Sequence, residues 1–201
     1  MKEIFRLCMV LTVLAAVSAG VLAFVNDKTA EPIAKAELEE KMRAVRAILP
    51  EFDNEPDKDM VTIKMENGEV VEIYRGRKDG EIVGVAFEVV APDGYSGDIK
   101  FMVGVNIDGV VQGIEILKHL ETPGLGAKIT EDDFKGRYSG KSLGDPENWA
   151  VTKDGGTFLP ITGATISSRA ITKATHNGLE FFSKNRSEII ADENKGGDQK
   201  K

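Results

Sequence analysis

The sequence predicts an α+β domain, a mostly antiparallel sheet with helices packed on it, preceded by a single N-terminal transmembrane helix. Three observations carry that expectation. Leu7 to Val25 contains no charged residue. The dipeptides Asn67-Gly68, Asp79-Gly80 and Asp108-Gly109 stand between runs rich in β-branched and aromatic residues. Apolar residues recur at helical spacing on either side of those runs. With 201 residues, 41% hydrophobic and 29% charged, the chain has room for one folded domain and a short extra segment. The expected divisions are a cytoplasmic start (1–6), an anchor (7–25), a helical lead segment (26–60), the main domain (61–184) and a disordered charged tail (185–201).

The apolar run of about 19 residues meets the span of a bilayer core. Lys2 and Arg6 precede it, while Asn26, Asp27 and Glu31 follow with only Lys28 nearby. The positive-inside rule therefore places Met1 in the cytoplasm and everything after Val25 outside. A cleaved signal peptide is the rival reading, because Val21-Leu22-Ala23 loosely resembles a cleavage site, but the run is long for a signal core. Both readings put the soluble domain beyond the membrane.

Thr29 to Pro50 reads as a second helix, with Pro32 near its start and Ile33, Leu38, Met42, Val45 and Leu49 along one side. Glu51 to Asp59 reads as an acidic loop. The hairpin signals then give a meander: Val61–Met65 with Val70–Arg75, Val71–Gly76 with Ile82–Val90, and Phe101–Ile107 with Val110–Lys118, each pair joined by a type I′ turn. Loops are expected at Ala91–Asp98 and His119–Gly126, where Gly and Pro accumulate. Thr130 with Asp133 suits the start of a short helix. Trp149–Thr152 and Thr157–Ile161, around Asp154-Gly155-Gly156, read as a last hairpin, and Ser167 to about Lys184 as a last helix. The helices are expected on one face of the sheet.

Several function classes fall away. The net charge is −7 without a basic stripe, which argues against nucleic acid. Cys8 is the only cysteine, so internal disulfides and Cys-ligated zinc or iron–sulfur sites are excluded. Cys8 lies in the apolar run and reads as a lipid-facing or packing residue. Asp132-Asp133 and Glu39-Glu40 are solvated or capping acids, and no credible metal site is visible.

The junction Ile161–Ser168 reads as a strand end turning into a helix. Gly163 permits backbone angles that other residues avoid, and with Ala164 it leaves room for a large group beside Thr165. Thr165, Ser167 and Ser168 bring hydroxyls to a helix N-terminus, whose free amides and dipole favour a phosphate, with Arg169 and Lys173 adding charge. The same residues serve equally as a cap and a turn. On spacing alone the junction names no ligand.

Thr162-Gly163-Ala164-Thr165-Ile166-Ser167-Ser168 resembles the flavinylation motif of the FMN-binding domain family. Gly94-Tyr95-Ser96-Gly97, Gly104–Gly109, Glu121-Thr122-Pro123-Gly124-Leu125-Gly126, Gly140-Lys141-Ser142-Leu143 and Ile161–Arg169 occur in the same order in the G subunits of Rnf (Rsx) electron-transport complexes. The similarity extends over roughly Met1 to Phe182. In that family the last Thr of the motif carries FMN through a phosphoester, which implies Thr165 here. A dedicated flavin transferase using FAD as donor makes the bond after export. The family usually has Asp three residues before the core, where it is thought to help define the site for the transferase; this chain has Leu159.

The resemblance implies a bacterial inner-membrane, single-pass subunit that passes electrons through covalent FMN within a complex linking ferredoxin and NAD to ion translocation. Other membrane and redox subunits are its implied partners, and it is not expected to be active alone. Thr162, Gly163, Ala164, Ser167 and Ser168 would surround the phosphate, while Tyr95, Glu121, Thr122, Gly124 and Leu125 would lie near the isoalloxazine ring. Glu121 and His119 are candidates for proton handling there, although a structural role suits His119 better; His176 is expected to be exposed. No residue of the chain is itself expected to be catalytic. The alternatives are a free-standing extracytoplasmic flavoprotein or quinone-reductase C-type subunit, and a non-redox assembly module without flavin.

Overall fold

The structure is a computed structural model; it describes residues 1–65, 68 and 70–191. The chain divides into two compact units, Met1–Glu40 and the remainder from Lys41. From Lys2 onward the first unit is helical. It belongs to α1 (Lys2–Ile48), which is long and apolar enough to cross a membrane.

The separate helix expected to begin at Thr29 is absent, because α1 runs on through Pro32. A proline removes one backbone donor. Here the surrounding Ala30, Ala34, Lys35, Ala36 and Glu37 are strong helix formers that carry the helix past it.

In the second unit, five strands form one antiparallel meander in sequence order: β1 (Met60–Lys64), β2 (Val70–Lys78), β3 (Glu81–Ala91), β4 (Ile99–Asn106) and β5 (Val111–Lys118). Asp79 and Gly80 have φ of 54° and 84°. That makes the expected type I′ turn, closed by the pairing of Lys78 with Glu81. The turn at Asp108-Gly109 differs. Only Gly109 is left-handed, at φ 80°. Its N–H reaches the Asn106 carbonyl, and the Asn106 side chain accepts the Asp108 and Val110 amides. This is a type I turn with a glycine bulge. Asn67, in the remaining turn, lies outside the described residues.

Alternation along the strands sends side chains to two cores. Ile73, Val85, Phe87, Phe101, Val103 and Ile114 face α3 (Thr165–Ile190), whose Ile171, Leu179, Phe182 and Ile189 are buried. Tyr74, Ala86 and Met102 face the end of α1, packing on Ala44, Val45 and Ile48. The helices thus cover both faces of the sheet, not one. A Cβ on Gly104 would lie 2.6 Å from the Ile48 carbonyl oxygen, so glycine there allows α1 to seat on the strands.

Between β5 and α3 the chain wraps one end of this core through a 3-10 turn (Gly126–Thr130), α2 (Asp132–Lys135) and further short turns. Thr130 does not cap α2: Glu131 holds the cap position and the Thr130 hydroxyl bonds the Ala127 carbonyl. The expected last hairpin is a 3-10 turn (Thr152–Asp154) whose flanks meet in a single parallel bridge between Val151 and Phe158. Phe158 stacks on Tyr138 and packs on Trp149. The Tyr138 hydroxyl meets Thr172 at 2.8 Å, which seats the wrap on α3. The last helix continues past Lys184 to Ile190 because Ile189 is drawn into the core. The rest of the expected disordered tail, 192–201, lies outside the described residues.

Candidate functional site around Thr165

The polypeptide enters α3 as irregular backbone rather than as a strand, then turns at Gly163, where φ is 83°. Ser168 fixes that turn from inside: its hydroxyl donates to the Ala164 carbonyl and accepts the Ile161 amide, both at 3.0 Å. Ala164 occupies the N-cap, and α3 starts without a side-chain cap. A 26-residue helix therefore begins with amides that no cap side chain satisfies, at the place where its dipole favours an anion. Thr165 is the first helical residue and half-buried.

Three loops meet beside this start, and Glu121 joins them. Its side chain is 5% exposed. One carboxylate oxygen accepts the Ser167 hydroxyl at 2.8 Å and the other accepts the Ser96 amide at 3.2 Å. His119 Nδ1 in turn accepts the Glu121 amide. A Cβ on Gly94 or Gly126 would press on the Glu121 side chain, so both glycines let their loops close on it. The segments around Gly94, Glu121 and Thr162 thus form one surface.

The structure places the sequence-predicted residues unevenly on that surface. Thr162 and Gly163 are exposed, Ala164 is buried, and Tyr95, Thr122, Gly124 and Leu125 are exposed around the turn. Leu125 closely approaches Gly163, where a Cβ would meet its Cδ2 at 3.1 Å. Ser167 and Ser168 do not offer their hydroxyls to an outside phosphate: both side chains point inward and are fully buried. Glu121 is tied into the scaffold. His176 is half-buried against Trp149 instead of exposed.

The expected cations are also engaged. Arg169 makes a two-pronged contact with Asp154 at 2.6 and 2.9 Å. Its hydrogen bond, against a smaller opposing effect of burial, holds the Asp154 carboxyl below the usual range. Lys173 pairs with Asp93. Sequence reasoning missed Lys153, whose Nζ lies 3.0 Å from Thr165 Oγ1. No spacing rule reveals that contact, because it depends on how the Thr152–Asp154 turn folds over α3.

The FMN-binding domain family matches residues 94–180, which span all three loops and most of α3. The RnfG N-terminal region family matches residues 1–48, the extent of α1. Among curated relatives, the G subunit of the ion-translocating oxidoreductase complex of Pseudomonas aeruginosa (strain UCBPP-PA14) is 37% identical over 98% of this chain and 96% of its own. The corresponding G subunit of Cereibacter sphaeroides (strain ATCC 17023) is 38% identical over 87% and 82%. Among solved structures, Shewanella oneidensis NqrC superposes with a TM-score of 0.52 at 22% identity, over 66% of this chain and 70% of that one. The C subunit of the Na(+)-translocating NADH-quinone reductase from Parabacteroides distasonis gives 0.52 at 19%, over 78% and 85%. The two structural likenesses establish a shared fold.

Proposed function

The chain belongs to the family of G subunits of ion-translocating oxidoreductase complexes, and from that membership we propose that it carries FMN, esterified to Thr165, as an electron-transferring subunit of such a complex. One observation carries the reading: a threonine hydroxyl stands at the uncapped start of a long helix, inside the stretch matched by the FMN-binding family.

The residues suit the group. Gly163 and Ala164 keep bulk away from Thr165, and the first amides of α3 offer donors to a phosphate. When bound, the flavin supplies the redox chemistry, and the chain supplies attachment and orientation. Thr165 contributes its oxygen to the ester. Ser168 holds the Gly163 turn, and Glu121 with Ser167 holds the loops that present Tyr95, Thr122, Gly124 and Leu125. Covalent attachment keeps the cofactor from being lost outside the cell.

In this reading α1 crosses the cytoplasmic membrane once and the sheet domain stands on its outer side. A flavin transferase loads Thr165 there. Electrons pass between ferredoxin and NAD through partner subunits, which also form the ion path; the one spanning helix among the described residues makes none, so the chain is inactive alone.

The test is the intact mass of the protein from its native host beside Thr165→Val. Wild type is expected to carry one FMN less one water, and the variant none. An unmodified wild-type chain from a host with an active transferase sinks the covalent reading. That outcome would favour an assembly module without flavin, a second reading that rests on Leu159, an exposed leucine where the family pattern has Asp. A quinone-reductase C-type role has only the shared fold behind it, whereas the G-type relatives span nearly the whole chain.

A further inference from the structure

We propose that Lys153 is the counter-cation of the flavin phosphodiester, aimed at Thr165 by a turn that the Asp154–Arg169 pair clamps to α3. The proposal rests on Thr165 being the attachment site.

Lys153 sits in the middle of the Thr152–Asp154 turn with its ammonium 3.0 Å from Thr165 Oγ1. That turn is built, not loose. The Thr152 amide bonds the Phe158 carbonyl at 2.8 Å, the Phe158 amide bonds the Ala150 carbonyl, and the Asn148 side chain holds the Gly155 carbonyl. Gly155 closes the turn at φ 81°. Asp154, next to Lys153, grips Arg169, and Arg169 lies one helical turn beyond Thr165. The clamp therefore fixes Lys153 against the same helical turn that bears the hydroxyl.

The neighbouring cations have other employment. Arg169 is taken by Asp154, Lys173 by Asp93, and Arg137 by Asp133 and the Leu159 carbonyl. Lys153 also acts on Asp154 through its charge, but its hydrogen bond ends on Thr165.

The chemistry of attachment gives that ammonium a role. Thr165 Oγ1 forms a bond to the FMN-side phosphorus of FAD, the bond from that phosphorus to the AMP phosphate oxygen breaks, and AMP leaves with the electron pair. The hydroxyl proton is released. A neutral hydroxyl thereby becomes the bridging oxygen of a monoanionic diester. The charge of the diester lies on its two non-bridging oxygens, so an ammonium in hydrogen-bond reach of Thr165 Oγ1 stands beside the new charge, and the oxygen keeps a second lone pair for attack.

The experiment loads the full-length, membrane-inserted chain with its transferase and follows flavin incorporation by fluorescence and intact mass. The loaded protein is then examined by phosphorus NMR. Lys153→Met is expected to slow incorporation about tenfold, the scale of one charge-assisted hydrogen bond from an exposed lysine to a half-buried hydroxyl, with its melting temperature unchanged. Lys153→Arg should restore the rate. The diester resonance should move in Lys153→Met; that readout sees the finished ester, so it separates a cation at the ester from one that only docks the transferase. The assignment stands only if the rate falls, arginine restores it and the resonance moves; failure of any of the three overturns it while leaving Thr165 as the carrier. Flavin missing from wild type, or retained by Thr165→Val, overturns both proposals.

Discussion

Glu121 illustrates how a residue legible as functional turns out to do scaffold work. Its carboxylate accepts from Ser167 and Ser96, and Ser167 is fully buried. Glu121→Ala leaves the Ser167 hydroxyl without an acceptor and should cost about 1–3 kcal/mol. A melt of the detergent-solubilised protein should show a clear drop, with Glu121→Gln intermediate; an unchanged melt for the alanine variant would refute the staple. Gly156→Ala is expected to be more damaging locally, because its Cβ would collide with the Ala150 backbone and displace the turn that carries Lys153. Flavin loading should then fall at least as far as in Lys153→Met, with a lower melting temperature. The proposal of Thr165 rests on a motif that is contiguous in the sequence. Lys153 was not legible, since it lies twelve positions before Thr165 and reaches it only through a folded turn. Ser167 and Ser168 face inward, against the sequence expectation. The helical period carries the buried face of Ile171 and Ala174 back to those two positions and turns both hydroxyls toward the core.

The meander was readable from short-range turn chemistry, but the covering of the sheet was not. Nothing local announces that the end of α1 takes the second face, because that depends on a groove in the sheet. Gly104 forms part of the groove, and Gly104→Ala should push against the Ile48 backbone and cost about 1–3 kcal/mol in a denaturant melt. Charge holds the same contact at its edge. Lys41 reaches Glu72 at 3.4 Å and Glu88 at 3.0 Å. Burial works against the Lys41 charge, yet its bonds to Glu88 and Glu72 outweigh it and raise its pKa. The Tyr74 hydroxyl, with Lys41 behind it and burial opposing, holds the Glu72 carboxyl below its ordinary 4.5. A carboxylate depressed in the folded state adds stability above its unfolded pKa and loses it as pH falls through the folded value. Glu72→Gln should therefore lower stability at pH 7, by no more than about 1 kcal/mol given its exposure. The difference from wild type should vanish well below pH 4.5. A difference that persists in acid would assign the loss to packing. The long last helix and the lost last hairpin share a cause: tertiary burial of Ile189 and Phe158 overrode a polar tail and a glycine-rich turn.

At the scale of the whole molecule, the proposed covalent flavin is useful only on the side of the membrane where it can be loaded and where its partners meet it. The sequence supplies the sign of that asymmetry. Lys2 and Arg6 precede the apolar run, and Asp27 and Glu31 follow it with Lys28 between. Transfer of positive flanks across the membrane is disfavoured, so the start of the chain should stay in the cytoplasm and the sheet domain should cross. The single native cysteine makes this measurable: Cys8 lies in the apolar run and is removed by Cys8→Ala, which leaves a chain without thiols. Ser183→Cys then puts one thiol on an exposed position of α3, and Glu3→Cys, in a second chain, puts one before the anchor. With a membrane-impermeant maleimide on intact spheroplasts, the position 183 thiol should label at once and the position 3 thiol only after permeabilisation. The reverse pattern would place the proposed flavin site in the cytoplasm, where FMN and FAD are plentiful, and would remove the reason for an ester bond. Labelling of position 183 with release of the domain into the medium would instead mean that the apolar run is a cleaved signal, leaving the site outside but without its anchor.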